Sequence, residues 1–140
     1  MAILGLDYGE KRIGVALANV EKRLAIPMTV IERAGEKVDM DKVIYLIKQY
    51  DVERIVVGLP RSLDGSLGRQ AEEVLNFTGV LSRHINIPVD TWDERFSTVA
   101  AESLFKDAGM KREKRKGHRD AMAAAIILQG YLDSKKRPKD

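Results

Sequence analysis

The apolar positions of this chain switch between a period of two and a helical period, and the switches divide it into elements. Two short β-prone runs, Ala2 to Leu6 and Ile13 to Ala18, flank a Gly-Glu-Lys-Arg turn and predict a hairpin. Ile26 to Glu32 predicts a third strand, with Pro27 marking an edge or a strand start. Over residues 37 to 50 the spacing becomes helical. Val38, Val43, Ile44, Leu46 and Ile47 supply the apolar stripe, and Asp39, Asp41, Lys42 and Lys48 are assigned to the wet side. Arg54 to Pro60 is a β-branched run stopped by Gly and Pro, which suits a buried parallel strand. A loop from Arg61 to Gly68, with an Asp64-Gly65 turn, leads into a helix carrying Ala71, Val74, Leu75, Val80 and Leu81, with Ser66 as its candidate cap. Ile87 to Trp92 predicts a fifth strand. Ser97 or Thr98 would cap a helix through Phe105 that ends near Gly109, and a basic loop then precedes a last helix from Arg119 to Leu132.

The resulting order, βββαβαβαα, implies an α/β fold. Three antiparallel strands followed by alternating helices and strands give a mixed five-stranded sheet flanked by helices. The length of 140 residues suits one domain, expected over residues 1–134, with residues 135–140 a disordered basic tail. Composition narrows the function. No cysteine is present, which removes disulfide and thiolate chemistry and fits a cytoplasmic protein. No apolar run approaches the roughly 20 residues of a membrane span, and no signal-peptide pattern opens the chain.

Charge is unevenly spread. Residues 111–119 and 135–139 together hold ten Lys/Arg against one acid, leaving fourteen against twenty elsewhere. Such asymmetry points to a polyanion held by a local patch. Lys111, Arg112, Lys114, Arg115, Lys116 and Arg119 lead straight into Asp120, whereas the tail reads as a solvated extension. Lys11, Arg12 and Arg95 are further candidates for phosphate, each equally able to form a surface ion pair. His118 is assigned to solvent, and Trp92, Phe96 and Tyr131 to the core rather than to base stacking.

Three acids occupy awkward places. Asp7 closes the first strand, where it either starts the turn or needs a cation. Glu94 lies at or just beyond the end of the fifth strand, the end at which open α/β sheets bind ligands. Asp120 opens the last helix at helical spacing from Ala124, Ile127 and Tyr131; it complements the helix dipole or serves a site. If the three converge they repel one another unless cations bind between them. Oxygen-only ligands select Mg²⁺ or Mn²⁺, and two such ions suit phosphodiester hydrolysis. A phosphatase of the Asp-x-Asp type is excluded because Tyr8-Gly9 follows Asp7, and sugar kinases that use an Asp-x-Gly turn need two such domains.

The segments Gly5-Leu6-Asp7-Tyr8-Gly9-Glu10-Lys11-Arg12-Ile13-Gly14-Val15-Ala16, Val57-Gly58-Leu59-Pro60 with Asp64-Gly65, Asp93-Glu94-Arg95-Phe96-Ser97-Thr98 and Asp120 to Leu128 together resemble the YqgF family, also called RuvX. The resemblance runs through nearly the whole chain. It implies an RNase H-like fold, a catalytic metal site built from Asp7, Glu94 and Asp120, and cytoplasmic maturation of the 5′ end of pre-16S rRNA, in contact with ribosomal precursor particles. It also implies an alternative, resolution of branched DNA. A third possibility is a nucleic-acid-binding assembly factor without catalysis. Trimming RNA needs one copy, and resolving a four-way junction needs a homodimer.

Overall fold

The computed structural model describes residues 1–60, 67–94 and 119–135. Strands β1 (Ala2–Tyr8), β2 (Arg12–Asn19) and β3 (Leu24–Glu32) form an antiparallel meander. Helix α1 (Glu36–Gln49) crosses to β4 (Val52–Leu59), and α2 (Arg69–His84) crosses to β5 (Val89–Asp93). The sheet order is β3-β2-β1-β4-β5, with β1, β4 and β5 parallel. The expected mixed five-stranded sheet is present, and the carboxyl ends of β1, β4 and β5 lie along one edge of it. Residues 95–118 contain the helix expected after Ser97 and most of the basic loop, and these lie outside the described residues. So do Ser66, the Asp64-Gly65 turn and residues 136–140.

Strand alternation assigns side chains to two cores. Leu4, Leu6 and Tyr8 of β1, with Ile55, Val57 and Leu59 of β4, meet Met40, Val43 and Ile47 of α1 and Ala71, Val74, Phe77 and Leu81 of α2. The opposite parity, Ile3 of β1, Ala16 and Ala18 of β2 and Val56 of β4, meets helix α3 (Arg119–Ser134) through Ala124, Ile127, Leu128 and Tyr131. Each face of the sheet is therefore covered by helix, as a parallel centre requires.

Several details depart from the sequence expectation. The third strand begins at Leu24, two residues before the expected start, and is an edge strand, one of the two roles expected from Pro27, which sits at a register shift against Val15 and Ala16 where a missing N–H costs the ladder nothing. Helix α2 starts at Arg69 with Gly68 at its N-cap position, and the expected cap, Ser66, lies outside the described residues. In α1 the wet face is not the expected one. Asp39 is only 1% exposed, while Val38 faces solvent. The physical reason is spacing: Asp39, Val43 and Ile47 stand four residues apart and share the inward face. Leu75 of α2 is likewise exposed, and Phe77 is buried instead, stacked on Tyr8 with ring centroids 4.3 Å apart.

Candidate active site

Asp7 and Gly14 are direct cross-strand partners in the β1–β2 ladder, so both look toward α3. Arg12 is two residues from Gly14 and shares that face. Gly14 carries no side chain because none fits: a Cβ there would lie 1.8 Å from the backbone oxygen of Asp120. The first turn of α3 is thus pressed directly onto β2. At β4, a Cβ on Gly58 would meet Ile127 at 2.4 Å and the Glu94 carboxylate at 3.0 Å. Glu94 follows β5 immediately and reaches back over Gly58 on this same face. Strand parity and two bare glycine positions therefore gather Asp7, Glu94 and Asp120 at the carboxyl edge of the sheet.

Their electrostatics show that they feel one another. Burial raises the Asp7 carboxyl from 3.8 to about 6, and the neighbouring charge of Asp120 adds to the effect. Burial raises Glu94 from 4.5 to about 7, reinforced by Asp7 and then Asp93. No cation among the described residues offsets either shift. Asp120 is treated differently. Its Oδ2 accepts a hydrogen bond from Arg12 Nε at 2.9 Å, in a pair that is 48% exposed on the arginine and 34% on the aspartate. Asp120 thus sits at the rim, while Ala124, Ile127 and Tyr131 on its own face are buried.

The donor set fits a hard divalent cation. It consists of carboxylate oxygens only, and on Asp7 and Glu94, the two more desolvated, no cation among the described residues acts. Its placement is not closed: among the described residues no three acids stand together so as to hold a metal ion. Arg12 is the side chain that engages the third of them.

The turn carrying Arg12 is itself braced. Arg33 Nη1 donates to the carbonyls of Gly9 at 3.0 Å and Glu10 at 3.1 Å, and the guanidinium stacks 4.5 Å from the Tyr8 ring centroid. Arg33 Nε meets Asp39 Oδ2 at 3.4 Å, and Asp39 Oδ1 accepts from the Ala34 N–H at 2.9 Å. Gly9 N–H donates to the Arg12 carbonyl at 2.9 Å and closes the turn. Sequence reasoning missed this brace. The spacing of Asp39 from Val43 and Ile47 was the signal that could have found it.

The RuvX family, described as Holliday junction resolvase, matches residues 1–134. The chain belongs to the RuvX family. A curated protein of Desulforamulus reducens, named "Putative pre-16S rRNA nuclease", is 48% identical over 134 residues, covering 96% of this chain and 98% of the relative. One of the same name from Halothermothrix orenii is 47% identical over 133 residues, 95% of each chain. Among solved structures, Thermus thermophilus RuvC in complex with a Holliday junction substrate superposes with a TM-score of 0.66 at 18% identity, over 96% of both chains. Fowlpox virus resolvase with junction DNA gives 0.60 at 12% identity, over 96% of this chain and 98% of that one. At these identities the likeness is one of fold, and the fold is RNase H-like.

In this RuvX chain, three of the residues proposed to hold nucleic acid are described. Lys11 and Arg119 are exposed beside the site, and Arg12 is paired with Asp120. Arg95, Lys111, Arg112, Lys114, Arg115, Lys116, His118 and Phe96 lie outside the described residues. Trp92 and Tyr131 pack edge to face at 6.2 Å in the α3-side core, as expected. Among the described residues no helix is long and apolar enough to cross a membrane.

Proposed function

We propose that this chain is a divalent-metal-dependent endonuclease that processes the 5′ end of pre-16S rRNA, acting on ribosomal precursor particles in the cytoplasm. The observation that carries the reading is the gathering of Asp7 and Glu94 at one sheet edge, desolvated and with no compensating cation among the described residues, with Asp120 across from them. Buried like charges without a counter-ion are costly, and a cation relieves that cost. The names of the 48% and 47% identical relatives supply the substrate.

In this reading Asp7, Glu94 and Asp120 hold two Mg²⁺ or Mn²⁺ ions. The chemistry such ions would supply when bound is activation of a water and stabilisation of the leaving oxygen of an in-line displacement. The protein's own contributions are positional. β1 carries one carboxylate, the residue directly after β5 carries the second, and α3, seated on Gly14, brings the third. Lys11 and Arg119, with the basic residues of 111–116, hold the phosphate backbone by charge without reading sequence.

The family description favours a second substrate, a four-way DNA junction, whose resolution requires two copies related by symmetry. Cleavage of a labelled pre-16S rRNA fragment and a labelled junction, each with Mg²⁺, Mn²⁺ or EDTA, by wild type and Asp7→Asn, decides between them. Metal-dependent cutting of the rRNA that Asp7→Asn abolishes is the expected result. Cutting of the junction alone transfers the activity to branched DNA. Tight binding with no cutting in any metal refutes the nuclease and leaves a binding factor.

A further inference from the structure

The pairing of Arg12 with Asp120 raises a question that the three-acid reading leaves open. Asp120 is needed as a ligand, yet its carboxylate is engaged by a guanidinium at 2.9 Å. That contact is imposed by the fold. Arg12 and Gly14 share one face of β2, and the backbone of Asp120 rests on Gly14, so side chain and carboxylate face each other whenever α3 is docked. The turn that carries Arg12 cannot drift away, because Arg33 grips the Gly9 and Glu10 carbonyls from below. Yet the contact is weak. Only Nε is hydrogen-bonded to the carboxylate, and both partners are substantially exposed, the setting in which ion pairs contribute least. A doubly charged ion in contact with two further carboxylates competes successfully for Asp120. The guanidinium released is then tethered at the edge of the site, where backbone phosphates of a bound strand must pass, and arginine suits phosphate geometry.

Building on the proposed metal site, we propose that Arg12 is an exchange residue: it neutralises Asp120 before a divalent ion arrives and transfers to a substrate phosphate once the ion is bound. Metal and nucleic acid therefore bind cooperatively through one side chain. By reciprocity, each strengthens the other by the same factor.

The test reads binding, not cutting. Mn²⁺ affinity is measured by electron paramagnetic resonance, and affinity for a labelled RNA hairpin by fluorescence anisotropy in Ca²⁺ or EDTA. Wild type, Arg12→Gln, Arg12→Lys and Asp7→Asn are compared, with folding checked by circular dichroism. Removing the competitor in Arg12→Gln is expected to tighten Mn²⁺ about two- to fivefold, the range of an exposed ion pair. The same change should weaken the hairpin in Ca²⁺ several-fold and lower its salt slope by about one. The Ca²⁺ enhancement of hairpin binding seen in wild type should shrink in Arg12→Gln and be largely restored in Arg12→Lys. Mn²⁺ binding that depends on Asp7 but is unchanged or weakened in Arg12→Gln overturns the exchange and leaves the metal site standing. Absence of any Asp7-dependent Mn²⁺ binding overturns the exchange and the metal reading together.

Discussion

Gly14→Ala tests whether the docking of α3 on β2 creates the site. The added methyl would lie 1.8 Å from the Asp120 oxygen and 2.3 Å from its carbonyl carbon, so strand or helix must yield by roughly 1.5 Å to reach ordinary contact. Both atoms belong to backbone, and no rotamer change relieves the clash. Overpacking in cores costs about 1–3 kcal/mol, and a clash with no flexible partner belongs at the upper end, ~3 kcal/mol. For a chain of this size that corresponds to a fall in Tm of about 10 °C. Because the atom struck belongs to Asp120 itself, Mn²⁺ binding should weaken as well. Gly79→Ala is the control. Gly79 lies within α2, and a Cβ added there would meet nothing within 4 Å. Alanine there should gain about 0.5–1 kcal/mol and raise Tm by a few degrees. Thermal unfolding followed by circular dichroism, with Mn²⁺ titration of each variant, reads both effects. A Gly14→Ala protein that melts within about 1 °C of wild type would refute the close approach and the account of how Asp120 is positioned.

Other outcomes follow from the same geometry. Asp7→Asn removes a carboxylate that is held near 6 instead of 3.8 and should stabilise the metal-free protein at pH 7 by up to about 3 kcal/mol while abolishing cleavage; chemical denaturation at pH 7 measures the gain. Asp7 and Glu94 are both raised in the folded state, which therefore binds protons more tightly than the unfolded chain. Their contribution to stability is full below about pH 4 and is lost as pH rises to about 7, so the advantage of Asp7→Asn, Glu94→Gln over wild type should vanish between pH 7 and 4 in denaturation series without divalent ions. Asp39→Ala leaves Arg33 and the Ala34 N–H without their buried partner and should cost about 3 kcal/mol in denaturant titrations; unchanged stability would show that the brace is dispensable. Hairpin binding should weaken steeply between 50 and 200 mM salt, and a shallow slope in anisotropy titrations would remove the basic loop from the interface.

How much of this was legible in the sequence depended on whether a residue's role is local. Strands announce themselves by β-branched runs and stop signals, and the run read from Arg54 to Pro60 is found as the strand Val52–Leu59 because those signals are contained in the segment. Asp7 and Glu94 stood out as candidates by position: one is an acid near the end of an apolar strand, the other follows the last strand directly. Asp120 stood out at the head of an apolar helix. What the sequence could not reveal was which cation answers which acid. Arg12 and Asp120 are 108 positions apart, and only the register of β2 under α3 joins them. Asp39 was lost differently. A charged residue was assigned to water on its chemistry although its spacing from Val43 and Ile47 placed it inside, and Arg33, six residues away, is what makes that burial tolerable.

The two faces of the sheet differ in a way that explains why the site lies where it does. Toward α1 and α2 the strands present Leu4, Leu6, Ile13, Val15, Ile55 and Val57, large side chains that hold the helices at a distance. Toward α3 they present Gly5, Gly14, Gly58, Ala16 and Ala18, and the helix answers with Ala121, Ala124 and Ala125. Small residues on both sides let the backbones approach, and a Cβ on Gly5 would already stand 2.8 Å from Leu128. Aspartate has a short side chain. At an ordinary helix-on-sheet separation the carboxylates of Asp7 and Asp120 would not repel one another noticeably; here Asp120 raises Asp7. The same closeness brings Asp120 within reach of Arg12. Thinning one layer of the fold thus sets up both the charge that invites a cation and the guanidinium that competes with it. Enlarging any residue of that layer should therefore disturb ion binding in proportion to the helix displacement it causes, even when no ligand is touched.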